Sequence, residues 1–259
     1  MGHPSWEGFR KGVAELHRML EELGVEYVLL KTVKPYPHAD SNVDVLLPRR
    51  ADFLRVKEAL RQKGYRPTFT LEFDKTMLLP PPSRSRSEVP AVHLYRRISW
   101  YTVPYLNAEA VLRRARVVAW EGLRIPIPGP DDDFRIGALH AFFEQEALTR
   151  GDFWHLRPIQ QTLGDRATDL AEVPSSAARW ALRAVMGALE ELSSSPSLKE
   201  IEPKREREVV YAFPERVLLR GFALRTGEAL RRRRVRDLAG ALYAYGLVHP
   251  AKKLKLIRG

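Results

Sequence analysis

The sequence predicts an α+β protein, with a mixed or antiparallel sheet and helices in its N-terminal part and an all-helical C-terminal part. One observation is an amphipathic helical pattern over residues 6–23, followed at once by short apolar segments typical of strands. Another is that the periodicity is helical throughout beyond Pro130. Because 259 residues with 44% hydrophobic content suffice for two compact modules, we expect domains at 1–128 and 129–259.

The first predicted helix is followed by two neighbouring strands. Ser5 is placed to cap the helix, and Gly24 follows it as a C-terminal stop. Residues 25–30 then indicate a buried strand, and residues 43–47 indicate a second strand that ends at Pro48. Because the connection between them is too short for a helical crossover, we expect the two strands to be antiparallel neighbours.

The rest of the N-terminal part completes an α-β-β-α-β-β order. Apolar residues on one stripe predict a second helix over 51–63. Strands are expected over 67–79 and 89–100, a helix over 107–117, and a short strand or extended linker over 122–128.

The C-terminal part is predicted to be helical. Helices are expected over 134–148 and 177–192, and also near 214–226 and 234–245. The charged stretch 196–208 between them predicts a connector.

Composition excludes several classes of protein. The absence of cysteine excludes disulfides, thiolate metal sites and cysteine nucleophiles. No apolar run approaches the ~20 residues that span a bilayer, and the N-terminus lacks the apolar segment of a signal peptide, so we expect a cytoplasmic protein without a membrane partner. Asparagine occurs only at positions 42 and 107, and Lys, Arg and Glu are abundant, which predicts a thermophilic source.

Positive charge is concentrated at the C-terminus. The net charge is +11, and residues 231–259, which we call the basic tail, hold nine Lys and Arg residues against one acid. Such a cluster predicts contacts to the phosphates of RNA or another nucleic acid, and a solvated helix face is the alternative. The candidate nucleic-acid-binding residues are Arg231, Arg232, Arg233, Arg234, Arg236, Lys252 and Lys253.

Polar residues alternate through the second predicted strand. Asp40, Asn42 and Asp44 occupy every other position, so Asn42 and Asp44 share one face of a regular strand. Carboxylate and amide oxygens are the ligands that Mg²⁺ prefers, so this face is a candidate metal site.

Five blocks of the sequence resemble one known family in their order and spacing. They are VLLKT at 28–32, SNVDVLL at 41–47, AVHLYRRISW at 91–100, IPIPGPDDDFRIGALHAFFEQEAL at 125–148 and GDFWHL at 151–156. They are similar to archaeal and bacterial proteins of the nucleotidyltransferase superfamily, the fold of polymerase beta and the CCA-adding enzymes. In that family, two acids on one strand and a third on a neighbouring strand hold divalent metals that bridge nucleotide phosphates.

The resemblance implies roles for individual residues. It makes Asp44, Asn42 and Asp40 the catalytic candidates, with Asp44 and Asn42 as the metal ligands. Candidate nucleotide contacts are Lys31, Thr32, Ser41 and His93. From the residues alone, Lys31 could equally be a strand-end lysine that reaches solvent, and His93 a structural histidine.

Three short segments depart from the family pattern. Of the three acids expected for the metal site, the chain retains one. Lys31-Thr32 stands where the family has Lys-Gly, Asn42-Val43-Asp44 where it has Asp-x-Asp, and Ala91-Val92-His93 where it has Asp-Leu-His.

The missing acids lead to two functional hypotheses. The first is a catalytically degraded relative that binds a nucleoside triphosphate, RNA or a partner protein through its groove and basic tail. The alternative is an active enzyme that uses Mg²⁺ to move a nucleoside monophosphate to a hydroxyl of RNA, protein or a small molecule. A register-shifted metal site that uses Asp40 with Asp44, helped by Glu72, Asp74 or Glu88 from adjacent strands, is also left open.

Overall fold

The computed structural model describes residues 4–68, 74–84, 88–100, 103–168, 173 and 175–231. It confirms the α+β class. The chain forms two compact units, one made of residues 1–98 and 107–133 and the other of residues 99–106 and 134–259. Within the described ranges, no helix is long and apolar enough to cross a membrane.

The first unit begins with the predicted helix. This helix, α1, spans Trp6–Glu22, and the Ser5 hydroxyl accepts a hydrogen bond of 3.0 Å from the Gly8 backbone N–H at its N-terminus. Its buried residues include Phe9 and Val13, which join the core beneath the sheet. The apolar stripe of the sequence therefore marks the face that packs.

A five-stranded mixed sheet forms the centre of the first unit. Its strands are β1 (Val28–Leu30), β2 (Asn42–Leu46), β3 (Arg66–Pro67), β4 (Lys75–Leu79) and β5 (Ala91–Tyr95), in the order β1-β2-β5-β4-β3. β1 and β2 are antiparallel neighbours, as predicted. β2 and β5 are parallel, and Val43 lies opposite Val92.

The two faces of the sheet differ. One face packs into the core that includes α1, and it carries Val43 and Val45 of β2 and Val92 of β5. Successive side chains alternate between faces, so Asn42, Asp44 and His93 face the opposite side.

Two predicted strands are shorter than expected. The sequence predicts one strand over 67–79, but β3 and β4 pair with each other in antiparallel fashion, with Arg66 opposite Leu79. The strand expected over 89–100 is divided: β5 ends at Tyr95, and a separate short strand begins at Ile98. Alternation of apolar residues does not reveal such reversals, because it persists on both sides of a turn.

Two helices and a hairpin complete the first unit. The first of these helices is α2 (Arg50–Gln62). The helix predicted over 107–117 is confined to α3 (Ala108–Arg113), and residues up to 117 already belong to a strand. β8 (Arg116–Trp120) and β9 (Leu123–Ile127) form an antiparallel hairpin, with β6 (Ile98–Trp100) and β7 (Val103–Leu106) preceding them in the chain as a separate pair. Glu121 and Gly122 both have positive φ values, of 49° and 80°, which a two-residue hairpin turn requires.

The second unit is mainly helical. It includes β7 and all of β6 except Ile98. Its other elements are α4 (Pro130–His140), which begins in the first unit, β10 (Ala147–Thr149), α5 (Arg150–Leu163), α6 (Ser176–Leu192), β11 (Val209–Ala212) and α7 (Glu215–Arg231). The charged stretch predicted as a connector contains two short 3₁₀ turns, at Pro196–Leu198 and Pro203–Arg205.

A pair of antiparallel strands, β10 and β11, departs from the all-helical prediction for this part. The helix expected over 134–148 changes to a π-helical turn at Ala141–Gln145 and ends at Glu146, which has a left-handed φ of 61°. No glycine or proline marks this end, so it has no local signal in the sequence. The helix expected near 234–245 lies outside the described residues.

Candidate functional site

Asp44 lies in the middle of the sheet, on the face away from α1. On one side of β2 it is opposite Leu30 of β1, and on the other it is opposite His93 of β5. Its side chain is 4% exposed. A carboxylate buried to this extent requires donors for both of its oxygens.

Lys31 supplies a positive charge to this carboxylate. It is the first residue after β1, and its Nζ lies 2.6 Å from Asp44 Oδ2. Its side chain is only 16% exposed. The ion pair is therefore largely withdrawn from solvent.

Two further groups face the other carboxylate oxygen. The amide Nδ2 of Asn42 donates to Asp44 Oδ1 at 2.5 Å, and Nδ1 of His93 lies 3.3 Å from the same oxygen. The four residues Lys31, Asn42, Asp44 and His93 are called the Asp44 cluster below. Three groups of the chain itself thus contact the one carboxylate.

The charge state of Asp44 follows from these contacts. Burial alone would raise the pKa of its carboxyl group, but the Lys31 ammonium and the hydrogen bond and charge of His93 act in the opposite direction. The net result is a pKa well below the usual range of aspartate. Asp44 is therefore an anion at neutral pH.

Asp40 lies beside the cluster rather than in the strand. It precedes β2, and its Oδ1 accepts from the Ser41 N–H at 3.0 Å while Oδ2 lies 3.5 Å from His38 Nε2. Burial would raise its pKa, but His38 and, at longer range, Lys31 lower it below its usual range, and Asp44 acts against them. Asp40 is therefore a second, half-exposed anion whose hydrogen bonds are local.

His93 is also linked to a tyrosine on the same strand. The Tyr95 hydroxyl lies 2.9 Å from His93 Nδ1, and both side chains are buried. Tyr95 has the parity of His93, so the two rings share the face that carries Asp44, with their centroids 4.5 Å apart. The Lys75 ammonium lies 5.0 Å from the centre of the Tyr95 ring.

The other candidate nucleotide contacts are placed differently. Thr32 is 5% exposed, and its hydroxyl donates to Leu30 O at 3.2 Å. Ser41 is exposed, and its hydroxyl donates to Asn42 Oδ1 at 3.2 Å. The structure thus brings Lys31, Asn42, Asp44 and His93 together, while Thr32 is turned to its own backbone.

The residues present do not fit a divalent cation. Both oxygens of Asp44 already face donors, and Asn42 turns its NH₂ group, not its oxygen, toward the carboxylate. Throughout the described part of the chain, no group of three or more histidine, aspartate or glutamate side chains converges as metal ligands do.

The acids proposed to rescue a metal site are placed elsewhere or not described. Asp74 directly precedes β4, and its carboxylate is 2.8 Å from Arg96 Nη1. Glu88 is exposed just before β5, and Glu72 lies outside the described residues. Of the basic tail, only the backbone of Arg231 is described, as the last residue of α7.

Sequence reasoning missed His38. It lies in the loop between β1 and β2, where no periodicity assigns a face to a residue. Its spacing of two residues from Asp40 is the one available signal, and the two side chains lie 3.5 Å apart in the structure.

Solved structures that are similar to this chain include an adenylyltransferase, a nucleotidyltransferase-like protein and a poly(U) polymerase. One is a lincomycin-bound lincosamide antibiotic adenylyltransferase, LnuA, which is 12% identical, covers 61% of this chain and 98% of its own, and has a TM-score of 0.42. An antigenic nucleotidyltransferase-like protein from Paracoccidioides brasiliensis is 11% identical over 80% of this chain and 96% of its own, with a TM-score of 0.45.

A poly(U) polymerase bound to MgGTP is 12% identical over 80% of this chain and 95% of its own, with a TM-score of 0.27. At these identities the similarities concern the fold alone. Neither a family model nor a curated protein matches the chain.

Proposed function

We propose that this chain is a nucleotidyltransferase-like protein that binds nucleotide or nucleic acid and does not carry out metal-dependent nucleotidyl transfer. One observation carries the proposal: the Lys31 ammonium lies 2.6 Å from Asp44, the single retained acid of the expected metal site. The negative charge of Asp44, which a metal ion would neutralise, is neutralised by the ammonium group of Lys31.

Charge arithmetic supports this proposal. Two-metal transfer requires several carboxylates to share the charge of two divalent ions at the reacting phosphate. The Asp44 cluster contains one carboxylate and one ammonium, with an amide and an imidazole as further hydrogen-bonding groups. The attraction for a divalent ion is therefore small compared with that of a site with three acids.

Ligand binding then depends on groups other than a metal. Lys31 belongs to the cluster, His38 contacts the neighbouring Asp40, and Tyr95 adds an aromatic ring on the face of the sheet that carries Asp44. The basic tail adds attraction for a polyanion, and phosphate contacts of this kind do not require a divalent ion.

Two assays on the full chain test the proposal. Binding of each of the four ribonucleoside triphosphates and of a single-stranded RNA should be detectable by calorimetry, and should persist when Mg²⁺ is replaced by EDTA. Incubation with labelled triphosphates and Mg²⁺ or Mn²⁺ should transfer no label to the protein, to RNA or to a cell lysate.

Asp44→Ala and Asp52→Ala provide the matched controls for the transfer assay. Asp52 lies in the first turn of α2, away from the cluster. Transfer that is lost in Asp44→Ala but kept in Asp52→Ala would establish the active enzyme and overturn the proposal. Absence of any nucleotide or RNA binding would overturn its binding half.

A further inference from the structure

The negative charge of the Asp44 carboxylate is matched by one positive charge, that of the Lys31 ammonium. A buried carboxylate is stable only with a positive or strongly donating partner. Lys31 provides one positive charge at 2.6 Å, and the remaining oxygen is satisfied by the Asn42 amide at 2.5 Å and by His93. No unbalanced negative charge is left on this carboxylate for a second cation to neutralise.

The backbone at Lys31 is an independent observation. Lys31 has a φ of 57°, in the left-handed region that residues with a Cβ rarely adopt. Such a conformation costs about 1 kcal/mol and persists where surrounding interactions hold it. The ion pair with Asp44 is one interaction that holds the side chain at this position.

The oxygen atoms near Lys31 would suit a hard cation if its ammonium group were absent. Asp44 supplies a carboxylate from β2, and Asp40 supplies a second carboxylate four residues earlier in the chain, with its Oδ2 3.5 Å from His38 Nε2. Within the described ranges, the Asn42 amide oxygen accepts a hydrogen bond from the exposed Ser41 hydroxyl alone, so a rotation of the side chain could present it to a cation. Carboxylate and amide oxygens are ligands that Mn²⁺ and Mg²⁺ accept.

We propose that Lys31 is a built-in cation that occupies the charge position of a divalent ion at Asp44, and that removing its ammonium group opens a divalent-cation site formed by Asp40, Asn42 and Asp44. The inference rests on the proposed function, since it explains why the retained acid supports no metal. It goes further by naming the residue that excludes the ion and the residues that would receive it.

Titration with Mn²⁺ alone, without nucleotide, tests this inference. The wild-type chain should show no saturable site with a Kd below about 1 mM, whereas Lys31→Met should bind one Mn²⁺ at least about tenfold more tightly than wild type. The double variant Lys31→Met with Asp44→Asn should lose the gained site. Free Mn²⁺ is followed by electron paramagnetic resonance, and Mn²⁺ should raise the Tm of Lys31→Met but not of wild type.

Control variants guard against a general effect of charge. Lys34→Met removes a lysine from the same loop and should leave Mn²⁺ affinity at the wild-type value. Lys31→Gln keeps a polar side chain at position 31, so it provides the same test if Lys31→Met does not fold. A tight Mn²⁺ site in the wild-type chain, or equal affinities in wild type and the Lys31 variants, would overturn the inference.

Nucleotide binding in EDTA is measured on the same proteins. If wild type binds no nucleotide or RNA while Lys31→Met gains a Mn²⁺ site, the proposed function fails and the built-in cation stands. If wild type binds nucleotide without metal and the Lys31 variants gain no Mn²⁺ site, the inference fails and the proposed function stands.

Discussion

Lys31 and Asp44 form an ion pair between the end of β1 and the middle of β2, with 2.6 Å between Nζ and Oδ2. The two side chains are 16% and 4% exposed, so water screens the pair weakly. This distinguishes it from exposed pairs of the same unit, such as Arg61 with Glu58, whose side chains are both more than half exposed. Removing one partner of the buried pair leaves a charge with little access to water.

Asp44→Asn should therefore destabilise the protein. We expect the free energy of unfolding to fall by about 2–4 kcal/mol, because the Lys31 ammonium loses its counter-charge in a site of low exposure. Urea denaturation at neutral pH measures the change. Asp52→Asn is the matched control: Asp52 lies 3.8 Å from the exposed Arg55, and its loss should cost less than about 1 kcal/mol. Equal costs for the two variants would contradict this account.

The contribution of Asp44 should depend on pH in the acid range. Its pKa is lower in the folded chain than in the unfolded chain, where the ordinary value is about 3.9, so the unfolded state binds the proton more tightly. The stabilisation is therefore complete above that ordinary value and is lost as pH falls toward the folded-state pKa. Asp40, whose pKa is also lowered, acts in the same direction.

The measurement for this pH dependence is the difference in unfolding free energy between wild type and Asp44→Asn. It should be constant from neutral pH down to about pH 5 and should shrink as pH falls further toward about pH 2. Asp52→Asn, followed over the same range, controls for general acid destabilisation. A difference between wild type and Asp44→Asn that stayed constant to pH 2 would contradict the lowered pKa of Asp44 in the folded chain.

The sequence predicted the part of the site that follows from strand periodicity. The strand parity of Asn42 and Asp44, the antiparallel neighbour β1 and the segment around Val92 are confirmed by the register of the sheet. These follow from short-range rules, because alternation assigns a face and a short connection assigns a neighbour.

The contacts of the site were not predictable in the same way. That Lys31 turns back onto Asp44 depends on its left-handed backbone, which a lysine does not signal in sequence. The end of the π-helical turn at Glu146 is another left-handed residue without a glycine, and it determines where β10 begins. In both places, long-range packing outweighs local preference.

Two glycines of the helical unit should respond to alanine in opposite ways. A Cβ at Gly137, in α4, would lie 2.7 Å from Leu156 Cδ2, and Leu156 is fully buried. Gly137→Ala should therefore cost about 1–3 kcal/mol of unfolding free energy through overpacking.

Gly187 provides the matched comparison. It is exposed within α6, and a Cβ there would meet no atom within 4 Å. Gly187→Ala should stabilise the protein by up to about 1 kcal/mol, because alanine has the higher helix propensity. Thermal unfolding of the two variants should shift Tm downward for the first and upward for the second. A gain of stability in Gly137→Ala would show that Leu156 has room to move.

RNA binding through the basic tail should be strongly salt-dependent. Each phosphate contact made by an arginine releases counterions, so the logarithm of the association constant falls with the logarithm of salt concentration, by about 0.7 per contact for a single strand. Replacing the arginines at 231–234 and 236 by glutamine removes five of the nine basic residues of the tail. Both the affinity for single-stranded RNA and the steepness of its salt dependence should fall.

A control variant with the same change in net charge separates the tail from general electrostatics. Five arginines outside the tail are exposed and paired with acids: Arg10, Arg49, Arg61, Arg84 and Arg205. Their replacement by glutamine should lower RNA affinity less than the tail variant and leave the slope nearly unchanged, because direct phosphate contacts set the slope and net charge acts at longer range. Fluorescence anisotropy of a labelled oligonucleotide between 50 and 300 mM salt measures both quantities. Identical slopes for wild type and the tail variant would remove the tail from the binding surface and leave the groove as the remaining candidate.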